Sequence, residues 1–179
     1  MLTITIPAGE LWDEDTNTFV QTKAQTLELE HSLISVSKWE SKWGVAFLAE
    51  GQKSDEQLTD YIRDMTITRG VDPVVYLTMP ADVIATITDY IAAPMTATKI
   101  NERQTKSNGE LVTAELIYYW MISLNIPFEC RKWHLNRLLT LVRVINIKNS
   151  PQKKLSRAEL AARNRAENAR RKAALKTSG

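Results

Sequence analysis

The chain has very little cysteine and glycine, and it has no long apolar run. Cys130 is the only cysteine, so no disulfide can form within the chain, and this usage fits a reducing compartment. The six glycines are scattered singly, which excludes a glycine-rich loop for binding phosphate. No stretch approaches the roughly 20 apolar residues of a membrane span, and no targeting segment is recognisable. We therefore expect a cytosolic protein without a membrane span.

Residues that typically build catalytic and metal sites are equally scarce. The two histidines, His31 and His134, fall in different predicted elements, whereas a structural zinc site needs about four cysteine or histidine ligands. Cys130 lies one helical turn before His134, a spacing at which a thiolate and an imidazole can meet. Free cysteines are more often buried and inert, and we favour that interpretation. We predict no catalytic residue, no metal and no cofactor, and hence a protein that is not an enzyme.

Charge is divided unevenly along the chain. Residues 148–179 carry ten Lys and Arg against two Glu, a net charge of +8. The remaining 147 residues carry 13 basic and 19 acidic side chains, a net charge of −6. We call residues 148–179 the C-terminal arm. A basic arm on an acidic body indicates contact with an anionic partner or with the body itself.

The most apolar part of the sequence predicts a helical hairpin. Residues 116–124 are apolar on every side of a helix, which is typical of a helix that is buried all round. Pro127 lacks an N–H and disfavours helix at the preceding residue, so the chain must turn there. An amphipathic segment follows, with Trp133, Leu138 and Val142 on one side. We predict two antiparallel helices over residues 113–124 and 129–147 that form the core.

Local signals place the other elements. Alternating apolar residues and threonines predict a small antiparallel β-element within residues 1–34. Ser35 and Gly44 are suited to begin and end a short helix, and Ser54 and Gln57 have the spacing of a capping box. The resulting prediction is a mainly α fold: a β-element over residues 1–34, a helical body over residues 35–147, and a basic C-terminal helix in the arm.

Two groups of residues are candidates for binding a partner. Trp39 and Trp43 share one face of a short helix, where an indole can remain available to a partner, whereas we assign Trp120 and Trp133 to the core. The arm has no large apolar stripe, so three interpretations stay open: a solvated terminus, nucleic-acid binding, and docking onto an acidic or helical protein. The candidate basic residues of the arm are Arg157, Arg163, Arg170 and Arg171.

Three segments resemble a known protein family. Residues 30–43 (EHSLISVSKWESKW), 116–121 (LIYYWM) and 126–139 (IPFECRKWHLNRLL) are similar to the tail assembly chaperones of long-tailed bacteriophages, or to a neighbouring tail-morphogenesis protein. The resemblance implies a non-enzymatic factor of the host cell cytoplasm. Such a factor binds the long helical tape measure protein and helps tail tube subunits to polymerise around it.

An alternative hypothesis remains beside the chaperone. In this hypothesis the chain is a virion structural or nucleic-acid-associated protein whose basic arm touches nucleic acid. The steepness of salt dependence distinguishes the two, because phosphate contacts release counterions and apolar groove contacts do not. Oligomerisation is left open by the sequence.

Overall fold

The computed structural model describes residues 1–13, 17–100, 111–150 and 157–175 of the chain. Within these ranges the chain forms four strands, six α-helices and two short 3-10 helices. The strands are β1 (Leu2–Ile6), β2 (Gly9–Asp13), β3 (Thr18–Thr22) and β4 (Gln25–Leu29). The α-helices are α1 (Leu33–Trp43), α2 (Asp55–Met65), α3 (Ala81–Ala92), α4 (Ala114–Ser123), α5 (Leu135–Asn149) and α6 (Arg157–Leu175). The 3-10 helices are Pro73–Tyr76 and Phe128–Lys132.

The chain divides into two compact units, Met1–Ile147 and Lys148–Gly179. We call the first unit the body, and the second corresponds to the arm. The described part of the arm consists mainly of α6, which is the basic helix expected from the sequence. Within the described ranges, no helix combines the length and the apolar character needed to cross a membrane.

The strands form two antiparallel pairs, β1 with β4 and β2 with β3. In the first pair Leu2 lies opposite Leu29, and Ile4 lies opposite Leu27. Side chains alternate between the two faces of a strand, so the apolar residues of β1 share one face. These residues pack on the core, and Ile6 at the end of β1 is completely buried.

Helix α1 lies at the centre of the body. It packs against α2, against α4 and against the second 3-10 helix. Leu33, Val36 and Trp39 are spaced three residues apart, which places them on one helical face, and all three are buried. Burial of such large side chains contributes roughly 1.5–3 kcal/mol each. The short helix therefore holds much of the body together.

A buried carboxylate links α1 to more distant parts of the chain. Glu40 is only 8% exposed. Its Oε1 accepts a hydrogen bond from the N–H of Phe47, and its Oε2 accepts one from the N–H of Ala114, each at 2.7 Å. Ala114 is the first residue of α4, whose leading N–H groups have no partner inside the helix. Glu40 thus fixes both the segment after α1 and the start of α4.

The helix caps of α1 and α2 were largely predicted from the sequence. Ser54 and Gln57 form the expected reciprocal capping box at the start of α2. Gly44 ends α1 with a left-handed φ of 66°, which glycine adopts without strain. The predicted cap of α1 was displaced by one turn, because Ser32 is the N-cap and Ser35 completes the box from inside the helix.

The prediction of a mainly α fold is wrong, because strands and helices share one core. Ile6, Leu27 and Leu29 are completely buried and belong to the same apolar cluster as the helices. Helix α3 packs directly against β1. The body is therefore an α+β structure in which two small antiparallel sheets accompany the helices. The alternating pattern predicted the strands, but it did not indicate that their apolar side chains belong to the same core as those of the helices.

The predicted central helical hairpin is also wrong. The chain turns at Asn125, which has a φ of 52°, but the next segment is the 3-10 helix Phe128–Lys132. Helix α5 begins only at Leu135, whose N–H donates to the carbonyl of His31 at 2.7 Å. This bond anchors the start of α5 beside the start of α1. Helix α4 packs on α1, and residues of α4 and α5 line one cavity.

Helix α4 is apolar around most of its circumference, but only one side is buried. Ala114, Ile117 and Met121 are completely buried at helical spacing. Tyr119 and Ile122 on another side are 63% and 65% exposed. The prediction that this segment is buried all round is therefore wrong. Helix α1 covers one face of α4 and leaves large apolar side chains on the surface.

Candidate partner-binding site

A cavity of about 620 Å³ opens on the body between α4, α5 and the segment that follows α1. Trp120 lines it from α4, whereas Leu139 and Val142 line it from α5. Leu48 and Val112 add further apolar surface. We call this cavity the α4–α5 groove. Its size and lining suit the apolar stripe of a helix or a comparable ligand.

Two opposite charges border the α4–α5 groove. Glu50 and Arg143 both line it, and both are exposed. Among the described residues, neither forms an ion pair within the chain. A ligand with an apolar stripe could place a base near Glu50 and an acid near Arg143, which would fix its orientation. The lining of the groove therefore combines apolar side chains with one acidic and one basic side chain.

The sequence did not reveal the α4–α5 groove, because its residues come from three separate segments. Trp120 was assigned to the core, but it is only partly buried and lines the cavity. Neither Leu48 nor Leu139 stands out in its local sequence pattern. Only the tertiary arrangement of α1, α4 and α5 brings these side chains together.

The two tryptophans of α1 have different environments. Trp39 is 1% exposed, and its Nε1–H donates to the carbonyl of Gln57 at 2.8 Å. Its ring is also nearly perpendicular to that of Phe47, with the two ring centroids 5.2 Å apart. Trp39 is thus a core residue, and a buried ring cannot contact a partner. Trp43 is partly exposed, so of this pair it alone offers surface.

The basic candidates of the arm lie on α6. Arg157 begins the helix, and Arg163, Arg170 and Arg171 are exposed. Residues spaced by three, four or seven positions share a face, so Arg163, Arg170 and Arg171 lie together with Glu167. Arg171 forms an ion pair with Glu167 at 2.9 Å. An exposed pair of this kind contributes only about 0.3–0.5 kcal/mol. Most of this positive face is therefore available for contacts.

The body contains a buried polar cluster that the sequence did not predict. His31 and His134 meet edge to face, with ring centroids 4.9 Å apart. Nδ1 of His31 shares a short hydrogen bond with the hydroxyl of Tyr61. Both histidines and Tyr61 are buried. No local pattern could predict this pairing, because the two histidines come from distant parts of the chain.

Hydrogen bonds of His134 indicate its neutral form. The N–H of Asn136 donates to Nδ1 at 3.3 Å, and Nε2 lies 3.0 Å from the carbonyl of Tyr90, to which it must donate. A ring that accepts at one nitrogen and donates at the other is a neutral imidazole. Both nitrogens are thus occupied by the backbone, which leaves neither for the thiol of Cys130.

Burial keeps both histidines uncharged. It lowers the pKa of His31 from 6.5 to about 3, and the neighbouring His134 lowers it further. The pKa of His134 is also lowered by burial, although the bond to the Tyr90 carbonyl opposes the shift. The cluster connects four helices: it lies at the start of α1, on α2, at the end of α3 and at the start of α5. Its role is therefore structural.

Comparisons with known proteins add no family assignment. The chain has no significant match among protein-family models, curated proteins or solved structures. In the described ranges, no group of three or more His, Cys, Asp or Glu side chains is arranged to hold a metal ion.

Proposed function

We propose that the chain is a non-enzymatic chaperone of bacteriophage tail assembly, which holds a helical segment of the tape measure protein in the host cell cytoplasm. The observation that carries this proposal is the α4–α5 groove, an open apolar cavity with charged borders. The resemblance of residues 30–43, 116–121 and 126–139 to tail assembly chaperones supports the same function.

The groove meets the physical requirements of such a chaperone. A long helical protein aggregates through its apolar stripe until its assembly partners cover it, so a chaperone must cover that stripe reversibly. Helix-in-groove binding does this by accepting side chains at helical spacing. Leu48, Trp120 and Leu139 supply partly exposed apolar surface for such side chains. The arm would modulate partner binding through its positive face.

Co-expression with the tape measure protein of the same phage tests this proposal. The wild-type chain should raise the soluble fraction of the tape measure protein and co-purify with it. Leu48→Lys should abolish both effects, because it places a charge in the groove. Val45→Lys is the matched control, since Val45 is 49% exposed in the same segment but does not line the groove. Equal activity of the two variants would contradict the proposal.

One observation favours the alternative of a virion or nucleic-acid-associated protein. Arg163, Arg170 and Arg171 present one positive face on a helix whose described side chains are exposed. Salt titration separates the alternatives: if the arm binds nucleic acid, log K should fall by about 0.7–0.9 per phosphate contacted as log salt rises. A flat salt dependence of binding to the tape measure protein, with no binding to DNA or RNA, would favour the chaperone.

A further inference from the structure

The segment between α1 and α2 contributes part of the lining of the α4–α5 groove. Leu48, Ala49 and Glu50 line the cavity from this segment, and we call these three residues the groove wall. The segment contains neither helix nor strand, although the N–H of Ala49 donates to the carbonyl of Ala46 at 3.2 Å. Backbone groups outside helices and sheets depend on side chains or water for their hydrogen bonds. Phe47 directly precedes the groove wall and is 7% exposed, so it anchors the segment in the core.

Both backbone polar groups of Phe47 are bonded by charged side chains. Its N–H donates to Oε1 of Glu40 at 2.7 Å, and its carbonyl accepts a hydrogen bond from Nζ of Lys53 at 2.8 Å. Hydrogen bonds to charged groups are roughly twice as strong as those between neutral groups. An acid on α1 and a base just before α2 thus hold this one residue in place.

The ammonium group of Lys53 also lies over aromatic rings of the core. Its Nζ is 4.3 Å from the ring centroid of Phe47 and 5.7 Å from that of Trp39. The negative face of an aromatic ring attracts a cation. Among the described residues, Lys53 forms no ion pair with a carboxylate, and burial lowers its pKa. Lys53 is therefore directed toward Phe47 and not toward an acid on the surface.

The same hydrogen bonds extend to a second part of the groove lining. Oε2 of Glu40 accepts a hydrogen bond from the N–H of Ala114 at 2.7 Å. Val112 lines the groove two residues before this point, and α4 contributes further lining after it. Lys53, Phe47, Glu40 and Ala114 therefore form a continuous series of bonded groups that connects two parts of the lining.

We infer that Lys53 is a positioning residue of the α4–α5 groove, which fixes the groove wall by holding the carbonyl of Phe47. The groove is then formed before a ligand arrives, and binding does not have to order the segment first. The importance of Lys53 for partner binding rests on the proposed function of the groove. Its effect on the groove wall does not depend on which ligand binds.

Amide hydrogen exchange of the full chain tests this inference. Lys53→Met keeps an unbranched side chain but removes the charge and the donors, so it should raise the exchange rate of the Phe47 N–H by about tenfold or more. Lys53→Arg keeps a charged donor and should stay close to the wild-type rate. Lys23→Met is the matched control, because Lys23 is exposed in the turn between β3 and β4. An unchanged rate in Lys53→Met would overturn the inference.

A second control separates loosening of the groove wall from a general loss of stability. Ile87 is completely buried on α3, and Ile87→Val lowers the stability of the whole body by removing a methylene from the core. An opening confined to the segment does not break the contacts of Ile87, so this variant should leave the exchange of the Phe47 N–H unchanged. Equal increases in Ile87→Val and Lys53→Met would show that Phe47 exchanges only through global unfolding, and would overturn the inference.

Co-expression with the tape measure protein connects the groove wall to the proposed function. Lys53→Met should recover less tape measure protein than the wild type, whereas Lys23→Met and Lys53→Arg should recover as much. If the wild type recovers none, the proposed function is contradicted, and the exchange rates still decide the role of Lys53. If Lys53→Met recovers as much as a binding-competent wild type, Lys53 does not position the groove for its ligand and the inference is overturned.

Discussion

His31 and His134 form an edge-to-face pair in the interior of the body, with ring centroids 4.9 Å apart. A backbone bridge between Ser32 and His134 joins the same two segments, and the N–H of Leu135 donates to the carbonyl of His31. Two uncharged imidazoles therefore lie at the point where α1 and α5 begin. A positive charge on either ring would be buried beside the other ring.

We predict that acid destabilises the body before most carboxylates titrate. The unfolded histidines bind protons below about pH 6.5, whereas the pKa of folded His31 is lowered to about 3. The unfolded state then binds more protons, so the free energy of unfolding falls as pH falls from 6.5 toward 3. His31 alone contributes a slope of about 1.4 kcal/mol per pH unit in that window. Urea unfolding from pH 7 to about pH 5 measures this slope.

Other titratable groups lie around the two histidines, so this prediction needs a control. Tyr61 and Tyr90 have raised pKa values because of burial, so they do not titrate in acid. Glu30 accepts a hydrogen bond from the Tyr90 hydroxyl at 2.7 Å, and Asp64 has a pKa raised by burial. A His31→Gln chain should show a shallower slope between pH 7 and about 5. An unchanged slope would assign the effect to His134 or to the carboxylates.

Glu40→Gln should destabilise the body by about 1–3 kcal/mol. The carboxylate accepts hydrogen bonds from the N–H groups of Phe47 and Ala114, one at each oxygen. An amide has one acceptor oxygen and one NH₂ group, so one backbone N–H would lose its acceptor and face a donor. Chemical denaturation measures the loss. Glu28→Gln is a matched control on an exposed strand position and should change stability by less than about 0.5 kcal/mol.

The tryptophans of α1 should respond differently to the same substitution. Trp39→Phe loses buried area and the hydrogen bond to the Gln57 carbonyl, so we expect a loss of roughly 2–4 kcal/mol. Trp43→Phe removes an Nε1–H that is buried without a hydrogen-bond partner among the described residues. Relief of this unpaired donor offsets the lost area, and the net change should stay below about 1 kcal/mol. Equal losses would contradict these assignments.

The sequence predicted helix ends correctly where they are determined by residues close together in the chain. The capping box of Ser54 and Gln57 and the left-handed Gly44 each depend on a few neighbouring residues, and each was predicted. The environments of Trp39 and Trp43 could not be separated, since both occupy one helical face. Their difference arises from Phe47 and Gln57, which approach only in the folded body.

The prediction of how α4 and α5 are arranged was wrong for the same reason. Apolar composition indicated a buried hairpin, but burial depends on which neighbours arrive. The 3-10 helix Phe128–Lys132 follows the turn, and the bond from Leu135 to His31 anchors the start of α5 beside the start of α1. The α4–α5 groove is lined by residues of separate segments, so no single segment encodes it. A candidate site built from three segments therefore emerged only from the folded chain.

We expect a chain that ends at Ser150 to retain a cooperatively folded body. Among the residues that the structure describes, those of the core all precede this point, and Lys148–Gly179 forms a separate compact unit. The described side chains of α6 are exposed, so removing the helix deletes little buried apolar area. A chain that ends at Leu139 is the control, because it lacks Val142, which is 4% exposed, and should melt without a sharp transition. Thermal melting followed by circular dichroism compares the two. Loss of the cooperative transition in the longer chain would show that the arm contributes to the stability of the body.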